Sequence, residues 1–206
     1  MRVKYFGHAC FLLADNNFSV IIDPFSGIGY ELDSPTADFC LCSHSHFDHN
    51  ATHKVCVNKV ILPNEYNAFP WLKVINSFHD EANGGKRGEN HIFVIELGGL
   101  KVSHLGDLGE PLNNEICEKI GKIDILLIPV GGTYTIDAKM AEKYVNKINP
   151  SIVIPMHYKT SKSQIDIAEK REFLSYYSNV INSEAEFEIT NIPKHLTVYD
   201  IDDKNF

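Results

Sequence analysis

An α/β fold is what the sequence predicts, and three features predict it. Short β-rich runs open and close the chain. Helical patterns alternate with strand patterns through its second half. Apolar content of 44% against 22% charged residues is enough for a packed core rather than disorder. The length, 206 residues, fits a single domain spanning 1–206, with no linker and no repeat of fixed period.

The elements follow from local chemistry. Residues 3–6, 10–14 and 18–22 are β-rich runs separated by Gly7-His8 and by Asp15-Asn16-Asn17, a strand meander. Asp23-Pro24 ends the third run, and 25–35 is a loop. A fourth strand is expected at 38–42, and a short one within 55–62; 65–71 fits helix and strand equally. Another strand, 74–78, ends at His79-Asp80. Residues 81–90, with Gly84, Gly85 and Gly88, read as a flexible surface loop. A phosphate-binding glycine loop is the alternative, but a strand follows where such a loop needs a helix.

Gly98-Gly99 between 92–97 and 100–105 is a hairpin signal. Residues 111–121 have a helical pattern, with Pro111 suited to the first turn and Gly121 to the C-terminal cap. Residues 124–130 form a near-continuous apolar run, a strand buried on both faces. After the Gly131–Thr135 loop, with Thr135 as a candidate N-cap, come a helix (138–148), a strand (152–156), a helix (165–177) and closing strands at 187–190 and 195–199.

Chemistry concentrates in Ser43-His44-Ser45-His46-Phe47-Asp48-His49-Asn50, where three histidines and an aspartate fall within six residues. Imidazole and carboxylate are the usual donors to catalytic zinc and its neighbours. In an extended segment, residues two apart face the same way, so His44 and His46 can reach one metal. Asp48 and His49, past the next bend, can reach a second. An accidental cluster is the bland alternative, and packing explains it poorly. Asp23, His44, His79, Asp107 and His157 each fall just past the end of an expected strand. Loops at strand ends are where sites are built. For Asp23, a plain Asp-Pro turn is the competing explanation.

Composition excludes some functions. Net charge is −8, from 19 basic and 27 acidic residues, with no basic stripe, so general nucleic-acid affinity is not expected. No apolar run is long enough to span a membrane, and the first residues lack the shape of a signal peptide. The five cysteines, Cys10, Cys40, Cys42, Cys56 and Cys117, read mostly as small buried hydrophobes in a reducing, cytoplasmic compartment. Cys40 and Cys42 precede the histidine cluster and could be ligands, but histidine and aspartate already supply enough. The sequence is compatible with a homo-oligomer.

These motifs resemble, in order and over nearly the whole chain, those of the metallo-β-lactamase-fold superfamily of metal-dependent hydrolases. Asp23 in Ile-Ile-Asp-Pro matches the first motif and His44-x-His46-x-Asp48-His49 the second. His79 matches the third, Asp107 in Leu-Gly-Asp-Leu the fourth, and His157 in Pro-Met-His-Tyr the fifth. Gly7-His8-Ala9-Cys10 and Gly-Gly-Thr-Tyr-Thr look closest to a small bacterial subgroup. It is similar to ascorbate-6-phosphate lactonase-like and N-acyl-phosphatidylethanolamine phospholipase D-like proteins.

The resemblance implies a four-layer αβ/βα sandwich, two mixed sheets inside and helices outside. It implies two divalent ions, zinc favoured over manganese, nickel or iron. His44, His46 and His79 would hold one, Asp48, His49 and His157 the other. Asp107 would bridge them, and Asp23 would orient the His44–His49 loop. Seven candidate ligands also exceed what one tetrahedral zinc uses. Departures narrow the activity. The chain lacks the export signal and fourth-motif cysteine of secreted β-lactamases, the C-terminal substrate domain of glyoxalase II enzymes and the inserted domain of β-CASP nucleases. His46 stands where flavo-diiron reductases typically carry glutamate.

The expected reaction is hydrolysis by a metal-bound hydroxide, with Asp48 and Asp107 holding it in line. The bond attacked is most readily a phosphodiester of a small-molecule substrate, alternatively a lactone or other carboxylic ester. A non-catalytic metal-binding or sensing module is the reading from another class. His8 is expected to assist a leaving group, and His104 and Tyr134 to contact substrate. For His104 a structural hydrogen bond competes, and for Tyr134 a plain helix-entry loop. Asp80 reads as a loop hydrogen-bonding residue rather than a ligand. Substrate choice should reside in loops 27–33, 81–90 and 131–135.

Overall fold

Two mixed β-sheets face each other across a shared apolar core in the computed structural model, which describes residues 1–201. The last five positions of the expected 1–206 domain lie outside the described residues. The first sheet joins β1 (Arg2–Gly7), β2 (Cys10–Ala14), β3 (Ser19–Ile22), β4 (Thr36–Leu41), β5 (Cys56–Val60) and β12 (Glu186–Glu188). Its order is β12-β1-β2-β3-β4-β5, antiparallel through the meander and parallel from β3 to β5. The second sheet contains β6 (Leu72–Phe78), β7 (Glu89–Leu97), β8 (Leu100–His104), β9 (Ile125–Pro129), β10 (Ile152–Met156), β11 (Val180–Ser183) and β13 (Thr197–Ile201). Its order is β11-β13-β10-β9-β8-β7-β6. With helices added, this is the expected sandwich class.

Side-chain alternation assigns the faces. On β2, Phe11 and Leu13 point into the shared core, while Cys10 and Leu12 point outward into a second cluster. That outer cluster is closed by Phe25, Ile28 and Leu32, so the 23–35 loop covers this face of the first sheet. The central strands β9 and β10 are buried at every position, as their continuous apolar runs require.

Helices α1 (Asn114–Ile120) and α2 (Ala138–Ile148) bury Ile116, Ile120, Tyr144 and Val145 in the shared core. Asn113, rather than Pro111, begins α1: its side chain accepts from the backbone N–H of Glu115 and Ile116. Gly121 closes it as expected. Asp137, not Thr135, caps α2 by accepting from Met140 N–H at 2.8 Å. Asn149, in the left-handed conformation at φ 55, ends it.

Three other expectations are corrected. The helix expected over 165–177 is only α3 (Arg171–Leu174). Its upstream half is used in tertiary pairing instead: Ala168 N–H donates to Gly131 O and Lys159 N–H to Ala168 O, and just before it Gln164 N–H donates to Ile28 O. Strand β11 was not anticipated; its mostly exposed edge position leaves no apolar alternation. The ambiguous 65–71 stretch falls in a 3₁₀ segment, Pro63–Ala68, with Glu65 accepting from Leu62 N–H. No helix among the described residues is long and apolar enough to cross a membrane.

Candidate metal centre

The strand ends converge as their sequence positions suggest. β3 delivers Asp23, β4 leads into the His44–His49 loop, β6 ends at His79, β8 leads to Asp107, and β10 ends at His157. One correction concerns the loop itself. Residues 43–49 are bends and a turn, closed by His49 N–H donating to His46 O, not an extended segment. His44 and His46 still meet, their ring centroids 4.6 Å apart, across the bend at Ser45 rather than by strand alternation.

Asp107 sits at the middle. Its Oδ2 lies 3.1 Å from His49 Nε2, 3.1 Å from His79 Nε2, 3.2 Å from His157 Nε2 and 3.9 Å from His44 Nε2. Ligands at about 2.0–2.1 Å from a tetrahedral ion are about 3.3 Å from one another, so these spacings are those of co-ligands. The donors fall into three overlapping groups: His44, His46 and His79; His44, His49 and Asp107; and His8, Asp48, His49 and His157. Among the described residues, His44 Nε2, His49 Nε2 and Asp107 Oδ1 are buried without a hydrogen bond. Such orphaned groups are costly unless something else satisfies them; a cation among them would.

Hydrogen bonding fixes which ring nitrogen faces inward. A carboxylate only accepts, so His49 Nδ1 donates to Asp23 Oδ2 at 2.9 Å and leaves Nε2 turned toward Asp107. Ser43 Oγ donates to the same oxygen at 2.6 Å and accepts from His44 Nδ1 at 2.9 Å. Ser43 N–H donates to Asp23 Oδ1 at 2.6 Å. His79 Nδ1 donates to the Tyr134 carbonyl at 3.0 Å. Three imidazoles are thereby locked as Nδ1–H tautomers presenting Nε2 lone pairs to one place, the arrangement that supports metal binding.

Burial and charge act together on these groups. Burial pushes the His44 imidazole down to about 3, helped by neighbouring His49. Burial alone would lower His49, but the carboxylates of Asp107 and Asp23 hold it well above its usual value. Burial would raise Asp107, yet His157 and His49 hold it well below the usual carboxylate range. The imidazoles around Asp107 thus favour its ionised form, and a cation held by the same donors would do so too.

The backbone is bent to make this arrangement. His8, Asp23 and His157 all have positive φ (54°, 49° and 51°), a conformation costing about 1–3 kcal/mol each for non-glycine residues. His157 N–H donates to His8 O at 2.6 Å, and Tyr5 Oη donates to the same carbonyl at 2.7 Å. Gly106, at φ +54, has no room for a side chain against Asn90 and Ser43.

Two expected roles change. His104 is fully buried; its Nε2 donates to Ala9 O at 2.8 Å and its Nδ1 accepts from Gly106 N–H at 3.1 Å. It is a structural link between the two sheets, not a substrate contact. His8 is buried too, and its Nε2 donates to Asp48 Oδ2 at 3.3 Å. Burial pushes its imidazole down to about 4, and its donor atom groups with those of Asp48, His49 and His157. It positions Asp48 rather than meeting a leaving group. Asp80 is, as expected, a loop residue: it accepts from the backbone N–H of Ala82, Gly84, Lys86 and Arg87. That tie also corrects the flexible loop expected over 81–90.

Sequence reasoning missed Ser43 and Asn90. Asn90 Oδ1 accepts from Asp107 N–H at 2.9 Å, while its Nδ2 donates to Ser77 Oγ and Leu105 O. Only the contact of Ser43 with the first histidine was visible in sequence; Asn90 gave no signal. The cysteines are all unbridged, and Cys40 is buried away from the centre in the outer cluster.

The centre opens into a cleft of about 540 Å³ lined by His46, Phe47, Asp48, His79, Asp107, Tyr134 and His157, among others. Tyr134 is on the wall of this cleft. A second cleft, of about 480 Å³, adjoins His44 and His46 on the side of Pro63 and Tyr66.

Known proteins resemble this chain in sequence and fold. The family model described as the beta-lactamase superfamily domain matches residues 2–157. A solved structure from Thermotoga maritima, described as a candidate zinc-dependent hydrolase of the metallo-β-lactamase superfamily, is 35% identical. It aligns over 97% of both chains with a TM-score of 0.79. A UPF0173 metal-dependent hydrolase of Thermoplasma acidophilum is 30% identical over 78% of this chain and 84% of its own. One from Nanoarchaeum equitans is 27% identical over 92% and 100%.

Proposed function

Because this chain belongs to the metallo-β-lactamase superfamily, with relatives named metal-dependent hydrolases, we propose that it is a dinuclear hydrolase of an ester-type bond, a phosphodiester above all. The observation that carries this reading is the set of Nε2 lone pairs, fixed by Nδ1 hydrogen bonds and gathered around Asp107. His44, His46 and His79 would hold one ion, and Asp48, His49 and His157 the other, with Asp107 between them. The donor set of imidazole and carboxylate suits zinc. When bound, such ions supply Lewis acidity and acidify water to a pKa of about 7.

The chain's own residues do the rest. Asp48 is held ionised, burial being outweighed by the His8 hydrogen bond and by His49, and it stands on the cleft wall, where it can orient the reacting group. His8 keeps its carboxylate turned inward. Asp107 fixes the spacing of the two ligand groups, and Asn90 fixes Asp107. Two ions held by these imidazole and carboxylate donors would supply the positive charge that an in-line displacement at a phosphodiester needs. The cleft has the volume of a small-molecule site. Unbridged cysteines accord with a reducing, cytoplasmic compartment.

The test is turnover by zinc-reconstituted protein of bis(p-nitrophenyl) phosphate and of a panel of lactones. The reading expects hydrolysis of the diester and little of the lactones. Lactone hydrolysis alone would make it a carboxylic ester hydrolase. No turnover of either by fully metallated protein would favour a binding or sensing module.

A further inference from the structure

Arg87 is the one lysine or arginine among the residues lining the two clefts that flank the candidate centre, and it lines both of them. His46 lies beside it on both linings. The position is built rather than incidental. Asp80 Oδ2 accepts from the Arg87 backbone N–H at 2.7 Å and from Lys86 N–H at 2.9 Å, and Asp80 Oδ1 holds Ala82 and Gly84. This carboxylate follows His79 directly, so the loop carrying Arg87 is tied to the chain that carries a candidate ligand.

The guanidinium is also held. It lies 5.4 Å from the centroid of the Tyr134 ring, and its Nη2 donates to Thr133 O at 3.1 Å. Among the described residues it forms no ion pair, whereas neighbouring Lys86 pairs with Glu81. A guanidinium carries five N–H donors in a planar fork, so one hydrogen bond leaves several donors for a ligand. A half-buried arginine without a carboxylate partner, on a chain of net charge −8, is poised for an anion from outside.

We propose that Arg87 is a specificity-determining residue that binds an anionic oxygen of the substrate, so that the site selects an anionic ester, of the phosphodiester class, over a neutral one. This rests on the hydrolase reading above and sharpens it. Tyr134 positions the guanidinium, and the Thr133 carbonyl turns its fork toward the junction of the two clefts. Substituents on either side of the anionic group would then occupy one cleft each.

Arg87→Ala and Arg87→Lys, loaded with zinc, test this against the wild-type protein. Two readouts are compared: calorimetric binding of inorganic phosphate, and kcat/KM for bis(p-nitrophenyl) phosphate and for neutral p-nitrophenyl acetate. Expected for Arg87→Ala are unchanged metal content, at least about tenfold weaker phosphate binding and a similar loss on the diester, mainly in KM. Turnover of the neutral ester should hold within about twofold, and Arg87→Lys should recover part of the phosphate affinity. Unchanged phosphate affinity would overturn the proposal, as would equal losses on the charged and neutral esters. Failure of the wild type to cleave the diester would sink the phosphodiester reading alone, because phosphate binding still reports on Arg87.

Discussion

The two ligand groups proposed for the candidate centre differ in how the protein holds them. In the half formed by Asp48, His49 and His157, His49 is fully buried and donates to Asp23, and His8 donates to Asp48. His157 has a left-handed backbone whose N–H donates to His8 O at 2.6 Å, while among the described residues its Nδ1 is buried without a hydrogen bond. In the half formed by His44, His46 and His79, His44 is tied through Ser43 and His79 through the Tyr134 carbonyl. His46 is different. It is partly exposed and lines both clefts, and among the described residues its ring contacts are those with His44 and His79, at 4.6 and 5.1 Å. Pre-organisation by hydrogen bonds is what gives a metal site affinity beyond its ligand list. The buried half should therefore hold its ion more tightly, and the open half should be where the coordination shell adjusts to substrate.

The harshest way to break the comparison is Asp107→Ala, which removes the carboxylate common to both halves. It should lower metal content in both and reduce kcat/KM by more than about 100-fold, beyond the roughly 10–100-fold typical of supporting residues. Retained stoichiometry, read by elemental analysis, would contradict the shared role of Asp107.

Asp23→Asn sharpens it. This change weakens the partner of His49 directly and that of His44 only through Ser43. An affinity loss of about 10–100-fold is expected, larger for the buried half. Titration with a competing chelator should show one tight and one weak ion in the wild type and two weak ones in the variant. Equal affinities in the wild type would remove the distinction.

A smaller effect is expected from Gly109→Ala, whose Cβ would collide with the His79 backbone. Stability should fall by about 1–3 kcal/mol through overpacking, read as a lower urea midpoint, with the His79 half losing its ion first.

The smallest effect separates the site from its support. Burial raises the Glu110 carboxyl above its ordinary 4.5, although it accepts from Phe78 N–H just ahead of His79. A carboxyl whose folded pKa is raised gives stability that is full below 4.5 and lost as pH rises through the raised value. Glu110→Gln should therefore be slightly more stable than wild type at pH 7, with the gain shrinking in the acid range. A gain independent of pH would point to packing instead.

Much of this molecule was readable from its sequence because the relevant signals are local. The strands at 10–14 and 152–156 and the helix at 138–148 coincide with the observed elements, since each is an apolar pattern stopped by turn or cap chemistry. The metal-type residues were visible because they crowd past strand ends. What was not readable depends on partners distant in sequence. Residues 165–170 look helical, but the Gly131 carbonyl claims the Ala168 N–H and Ala168 O accepts from Lys159 N–H. Asn90 is an ordinary polar residue until the fold sets it against Asp107. His104 looked like the other strand-end histidines, and only the facing sheet, which supplies the Ala9 carbonyl, reveals it as structural. Arg87 was one charge in a polar loop until Asp80 and Tyr134 fixed where it sits.

The central claim is that seven side chains from opposite sheets form one centre for two ions. Elemental analysis of the purified protein after zinc reconstitution and removal of free metal tests it most directly. The account predicts close to two zinc ions per chain, falling to one before none as chelator is raised. A chain that saturates at a single ion, or binds none, would contradict it.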